Sequence, residues 1–155
     1  MTRKLGVTIT DATDADYADL IKNIRNTDRA EVQSISGRDL AELLLSPRPY
    51  SHKTWTARSE EGLVAMFGYA NYESHPGVGV PWMLATDLIS KHEKDLLALS
   101  KPHIKLMEQL FDKLHNYVAA NNEAAIRWLE WLGFTMDDPF LLPWSTTPVI
   151  YFHKP

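Results

Sequence analysis

Residues 116–134 read "NYVAANNEAAIRWLEWLGF". The stretch opens as a short β-branched and aromatic strand, within "HNYVAA", and then meets two asparagines. Asn121 or Asn122 is placed to cap a helix, because a short side-chain oxygen can accept a free N–H of the first turn. Trp128, Leu129, Trp131 and Leu132 then crowd into barely three turns, an apolar face expected to fill the core, and Gly133 ends the run. A strand, a capped three-turn helix and "GF" entering another strand make up a strand–helix–strand unit. That unit decides between an all-helical chain and a sheet domain.

Working outward, the flanks agree. "GVTIT" is a short strand, followed by "DATDADYADLIKNI", a helix with Tyr17, Leu20, Ile21 and Ile24 on one side. "ISGRDLAELLLSPRP" reads as a second helix from about Gly37 to Leu45, closed by Pro47 and Pro49. The period then changes to that of strands. Lys53–Ser59 and Leu63–Tyr72 form an expected hairpin around "EEG", and "VGVPWMLAT" resumes as a strand apolar enough for burial on both faces. "DLISKHEKDLLALSKPHIKLMEQLFDKL" is a long helical region, in which Leu96, Leu99, His103, Met107, Leu110 and Leu114 recur. Pro102 either breaks it or starts a second helix. "FTMDD" and "PVIYFHK" are closing strands, joined by the loop "PFLLPWSTTP". The order β-α-α-β-β-β-α-β-α-β-β implies one α/β (α+β) domain over residues 1–155, a mixed central sheet flanked by helices.

Composition bounds the function. With 155 residues, 45 % apolar and 23 % charged, the chain can bury a real core. No cysteine is present, which excludes disulfides, thiolate metal sites and cysteine nucleophiles. A net charge of −4 argues against a dedicated nucleic-acid binder. No apolar run reaches the roughly 18 residues of a membrane span, so a cytoplasmic protein is expected. Of the six histidines, His52, His75, His92, His103, His115 and His153, no two have the spacing that brings both onto one metal. His92 and His103 share a helical face but sit about 16 Å apart at 1.5 Å per residue. No metal is expected. Asp137-Asp138 precedes Pro139 and reads as a turn, Ser100 and Ser145 have no hydrolase motif around them, and Lys91, Lys94, Lys101 and Lys105 alternate with acids on a solvated face.

The element order, with Asn122, Ala125, Gly133 and Phe134 matching an Asn-x-x-Ala helix followed by Gly-Phe, resembles the GNAT (Gcn5-related N-acetyltransferase) fold. More narrowly, "PWMLATDLISKH", Asn116-Tyr117-Val118 and Ile126-Arg127-Trp128-Leu129 resemble the GNAT-like internal virion protein A family of short-tailed bacteriophages. The resemblance implies that acetyl-CoA, if bound, lies against Leu84, Ala85 and Asn122, with Lys91 and Lys94 as cations for its phosphates.

Three requirements of such an enzyme can be checked. GNAT enzymes cradle the diphosphate in a glycine-rich turn before the helix that follows the central strand, where peptide N–H groups converge on the anion. "TDLISKHEKDLLALSK" holds that place without a glycine, and Asp87 adds the wrong sign. Many GNAT enzymes carry a proton-donating tyrosine four residues before the Gly of Gly-Phe, and Leu129 stands there. A base for the amine is offered by Glu73 or His75 in "NYESHPG". Two requirements are absent from their usual positions. The reading is therefore a phage protein of GNAT fold serving virion assembly or protein contact, in the host cytoplasm or the virion, with acetyl transfer lost or atypical and no cofactor if the site is degenerate. The alternative is an active acetyl-CoA-dependent N-acetyltransferase. Contacts with other virion or host proteins, or self-association, are expected through Trp131, Phe140 and Trp144.

Overall fold

The computed structural model describes residues 6–38, 52–72 and 74–155. Its strands are β1 (Thr8–Asp11), β2 (His52–Ser59), β3 (Gly62–Tyr72), β4 (His75–Ala85), β5 (Lys113–Ala119), β6 (Thr135–Met136) and β7 (Val149–Lys154). Its helices are α1 (Asp14–Asn23), α2 (Asn26–Ser36), α3 (Glu93–Leu110) and α4 (Glu123–Trp131), with a 3-10 turn at Asp87–Lys91. The strands form one mixed seven-stranded sheet, ordered β1-β2-β3-β4-β5-β7-β6. Only β4 and β5 run parallel to each other. Apart from α2, which the sequence reading does not place, the described elements follow the order read from the sequence.

Local chemistry explains most boundaries. Thr13 and Asp16 form a reciprocal capping box, with the Asp16 N–H 3.3 Å from Thr13 Oγ1 and the Thr13 N–H 2.9 Å from Asp16 Oδ2. Asp16 also accepts from Thr56 Oγ1 and Arg58, which ties α1 to β2. The β2–β3 hairpin runs in register from His52↔Ala70 to Ser59↔Gly62. Gly68 is required there: a Cβ would lie 1.9 Å from the Lys53 carbonyl oxygen.

Three expectations are corrected. Asn26–Ser36 forms α2, a helix that the apolar pattern does not mark. Gly37 does not begin a helix but ends this one in the left-handed conformation, at φ 70°. The remainder of the helix expected to Leu45 falls at 39–45, outside the described residues. Pro102 sits within α3, which neither breaks nor restarts. The N–H that proline lacks would have served the Ala98 carbonyl, and Ala98 lies on the solvent side where water serves it instead. Leu114 belongs to β5 and is fully buried.

The larger core lies between the sheet and α3 and α4, with Trp55, Phe67, Leu96, Met107, Leu114, Phe134 and Phe152. The opposite face packs Leu63 and Met66 against Leu20 and Ile24 from α1 and its end. Near the middle of the sheet this filling gives out. Trp82, Met83 and Leu84 on β4 are only half-buried, although the apolar run there predicts burial on both faces. The cause is the pairing of β4 with β5, which is confined to Val78↔Lys113 and Gly79↔Leu114. Beyond it the strands part. β5 continues against β7 through Ala119↔Val149, while β4 continues against β3 through Ala65↔Ala85.

Candidate functional site

The parting of β4 and β5 creates a wedge with exposed strand edges. The Thr86 N–H bonds to Val64 O of β3, so the alternation of an antiparallel pair turns the backbone groups of Pro81, Met83 and Ala85 into the wedge. Most are taken by the chain itself. Asn116 on β5 reaches across, its Nδ2 donating to Pro81 O at 2.8 Å while its Oδ1 accepts the Tyr117 N–H at 2.8 Å. At the wide end, the Ala85 N–H donates to Asp28 Oδ2 at 2.7 Å, and Ala85 O accepts from the Arg25 N–H at 2.9 Å. The other strand, β5, ends at Ala119, three residues before Asn122. Asn122 Nδ2 donates to Glu31 Oε2 at 3.0 Å. Two carboxylates one helical turn apart on α2 thus sit on the ends of the two diverging strands.

A cavity of about 710 Å³ fills the wedge. Its walls are mostly apolar: Phe67, Trp82 and Met83 from the sheet, Ile104 and Met107 from α3, Trp128 and Leu129 from α4, and Val32 and Ile35 from α2. Asp28, Glu31, Asn116 and Asn122 add its polar groups. Its size and lining are those of a small-molecule site. Burial pushes both carboxyls above their ordinary range. For Asp28 this outweighs Arg25, whose guanidinium lies 2.7 Å away, and the Ala85 N–H, while Asp87 adds to the rise. For Glu31 burial outweighs the Asn122 hydrogen bond, and Asp28 adds to the rise.

The residues singled out from sequence scatter relative to this cavity. Leu84, Lys94 and Asn122 line it. Asn122 also caps α4, accepting the Ala125 N–H at 3.2 Å. Ala85 stands at its end with both backbone groups bonded to α2. Lys91 is turned away, its Nζ 2.9 Å from Glu61 Oε2 beside the β2–β3 turn. His75 begins β4 eight residues before Met83, about 26 Å along an extended strand, exposed and 3.0 Å from Ser74 Oγ. Glu73 lies outside the described residues. Leu129 faces the cavity, where it has no proton to give.

Asp28, Glu31 and Asn116 are not among the sequence candidates. A polar side chain inside the apolar strand "HNYVAA" was the available signal for Asn116. The two carboxylates gave none, because their helix carries no apolar stripe.

Of the aromatic contact candidates, Trp131 is 52 % exposed with Lys101 Nζ 4.6 Å over its ring. Phe140 is exposed, its ring 6.0 Å from that of Tyr117. Trp144 is 58 % exposed, yet its Nε1 donates to Ser34 O at 3.1 Å and Ile35 O at 3.2 Å, and Ser145 Oγ lies 2.5 Å from Ser34 Oγ. The loop before β7 is thus strapped to the end of α2. Among the described residues no group of histidines and carboxylates is arranged to hold a metal ion, and no helix is long and apolar enough to cross a membrane.

The junction between β4 and α3 bears on a diphosphate-bearing cofactor. Leu88 N–H donates to Thr86 Oγ1 at 3.3 Å, Ile89 N–H to Thr86 O at 3.2 Å, and His92 N–H to Ile89 O at 2.9 Å. Three amides of the turn therefore close on the turn itself. Glu93 and Asp95 occupy the first turn of α3, where a phosphate would meet them. These residues do not fit a diphosphate held by converging peptide nitrogens.

No protein-family model matches the chain, and no curated protein is similar to it in sequence. Solved structures are similar in fold. A GCN5-related N-acetyltransferase from Kribbella flavida superposes with a TM-score of 0.65 at 16 % identity, covering 97 % of this chain and 98 % of its own. An aminoglycoside acetyltransferase in complex with coenzyme A gives 0.64 at 21 % identity, covering 96 % and 94 %. Spermidine N-acetyltransferase from Vibrio cholerae, in complex with CoA and spermine, gives 0.64 at 12 % identity, covering 96 % and 95 %. At such identities the likeness is one of fold: this chain has the GNAT fold.

Proposed function

We propose that this chain uses the GNAT fold as a scaffold for protein contact in bacteriophage virion assembly, with acetyl transfer lost or atypical. The observation that carries this reading is the turn between β4 and α3, whose Leu88, Ile89 and His92 amides are bonded within it. A fold that held coenzyme A in the usual way would aim such amides outward at the diphosphate. Leu129 in place of a proton donor supports the same reading, as does the sequence resemblance to phage internal virion proteins. Trp131, Phe140 and Leu141 offer exposed apolar area for a virion protein, a host protein or a second copy. The protein would act in the host cytoplasm or in the particle.

Titration with acetyl-CoA, followed by melting temperature, tests this. A ligand at 100 times its dissociation constant adds about 2.7 kcal/mol. No shift at millimolar acetyl-CoA is expected, and a clear shift would overturn the proposal.

One observation favours a second reading, an acetyl-CoA-dependent N-acetyltransferase. The cavity has the volume of a ligand site, and the Met83 backbone faces it. Should the shift appear, Glu73→Gln is the variant to assay first, because His75 opens β4 about 26 Å from Met83.

A further inference from the structure

The attachment of α2 is largely polar. Asp28 is its only buried residue. Val32 packs against the smaller core cluster, and both Val32 and Ile35 border the cavity. Polar contacts hold the helix at three levels. The Arg25 N–H and Asp28 carboxylate grip the Ala85 backbone at the start. Glu31 accepts the Asn122 side-chain amide in the middle. The Trp144 indole N–H bonds the Ser34 and Ile35 carbonyls at the far end. A helix with one buried residue, held by polar contacts beside a cavity, belongs among the elements that open below the global unfolding free energy.

We propose that α2 is a latch on the β4–β5 wedge: Asp28 takes the strand-end amide of Ala85, Glu31 takes the side-chain amide of Asn122 just past the end of β5, and release of the helix uncovers both groups and the cavity behind them. The sheet is then stapled by its own side chains at the place where strands diverge. Any ligand reaching the Ala85 N–H must displace Asp28. The latch stands whether or not coenzyme A binds, so hydrogen exchange without ligand tests it separately from the acetyl-CoA titration.

Amide hydrogen exchange on the full chain is the experiment. In the wild type, the amides of α2 and that of Ala85 exchange together, and faster than those of Val64 and Met66 on β3. Glu31→Ala speeds that set by about tenfold, the factor one lost hydrogen bond carries, and leaves β3 unchanged. Trp144→Phe, which keeps the ring but removes the donor, speeds the last turn of α2. Binding of 1-anilinonaphthalene-8-sulfonate rises in Glu31→Ala as the cavity opens. Exchange of α2 only together with β3 in the wild type overturns the proposal, and that comparison needs no variant to fold. Unchanged α2 rates in both variants overturn it as well.

Discussion

The carboxylate of Asp28 accepts the Ala85 N–H at 2.7 Å, across 57 residues of sequence. This bond joins the first turn of a helix to the last residue of a central strand, at the point where the sheet has lost its neighbouring strand. It fixes the position of α2, closes one end of the wedge and uses up an amide that a ligand would otherwise meet.

Removing that carboxylate leaves the Ala85 N–H without its acceptor and the Arg25 guanidinium without its 2.7 Å partner. Asp28→Ala is expected to cost about 2–3 kcal/mol, the range for a buried donor left unsatisfied plus a lost charged hydrogen bond. Asp28→Asn retains an acceptor and should cost less. Urea unfolding of both variants measures the difference, and equal losses would exclude the Ala85 bond as the main contribution.

The raised carboxyls set a pH dependence with a defined sign. An acid whose pKa is higher folded than unfolded binds its proton more readily in the folded state, so its contribution is complete below the unfolded value and is lost as pH rises through the folded value. For Asp28 and Glu31, both raised by burial, stability should decline as pH rises above about 4, the ordinary carboxyl range. Glu31→Gln should flatten that decline. Unfolding curves between pH 4.5 and pH 8, about the working range of such measurements, read the slopes, and identical slopes would refute the assignment.

Asp16 should behave in the opposite way. Burial works against its ionisation, but hydrogen bonds from Arg58, Thr13 and Thr56 outweigh it and leave the carboxyl below its ordinary range. Its contribution is present above the unfolded value and is lost as pH falls through the folded one. Asp16→Asn is expected to destabilise at neutral pH and to change little in strong acid, as acid titration of circular dichroism would show.

Asn116 bridges the two strands with both ends of its amide. Asn116→Ala leaves the Pro81 carbonyl and the Tyr117 N–H unbridged and is expected to cost about 1–3 kcal/mol. Asn116→Asp keeps the acceptor for Tyr117 but sets an anion against the Pro81 oxygen, so it should melt no higher than the alanine variant. A melting temperature equal to wild type in Asn116→Asp would refute the bridge.

Gly68→Ala should be the most damaging small substitution in the hairpin. Its methyl carbon would fall 1.9 Å from the Lys53 carbonyl oxygen on the paired strand, an atom that cannot swing away. A loss above about 3 kcal/mol, or failure to fold, is expected, since such overpacking forces backbone shifts. A soluble, wild-type-like Gly68→Ala protein would show that the hairpin register differs.

The strand-to-helix unit from Asn116 to Phe134 was legible because its signals are local. A short run with Tyr117 and Val118 marks β5, a capping Asn122 starts α4 and Gly133 stops it, and each acts within a few residues. The hairpin of β2 and β3 was legible for the same reason. So was the absence of glycine from the β4–α3 turn, which composition alone displays.

What the sequence did not carry is α2 and everything it does. "NTDRAEVQSIS" has too few apolar residues to form a stripe, so periodicity is silent. Its inner face is defined by two carboxylates whose partners, the Ala85 N–H and the Asn122 side chain, are remote in sequence and meet them only where β4 and β5 part. That parting is a property of the assembled sheet, in which each strand keeps its outer neighbour and loses its inner one. Local patterns therefore determined which segments fold and in what order. Only tertiary structure decided that a gap would open between two strands, and that buried charge on an unremarkable helix would fill its edges, because backbone hydrogen bonds left open by one contact must be satisfied by another.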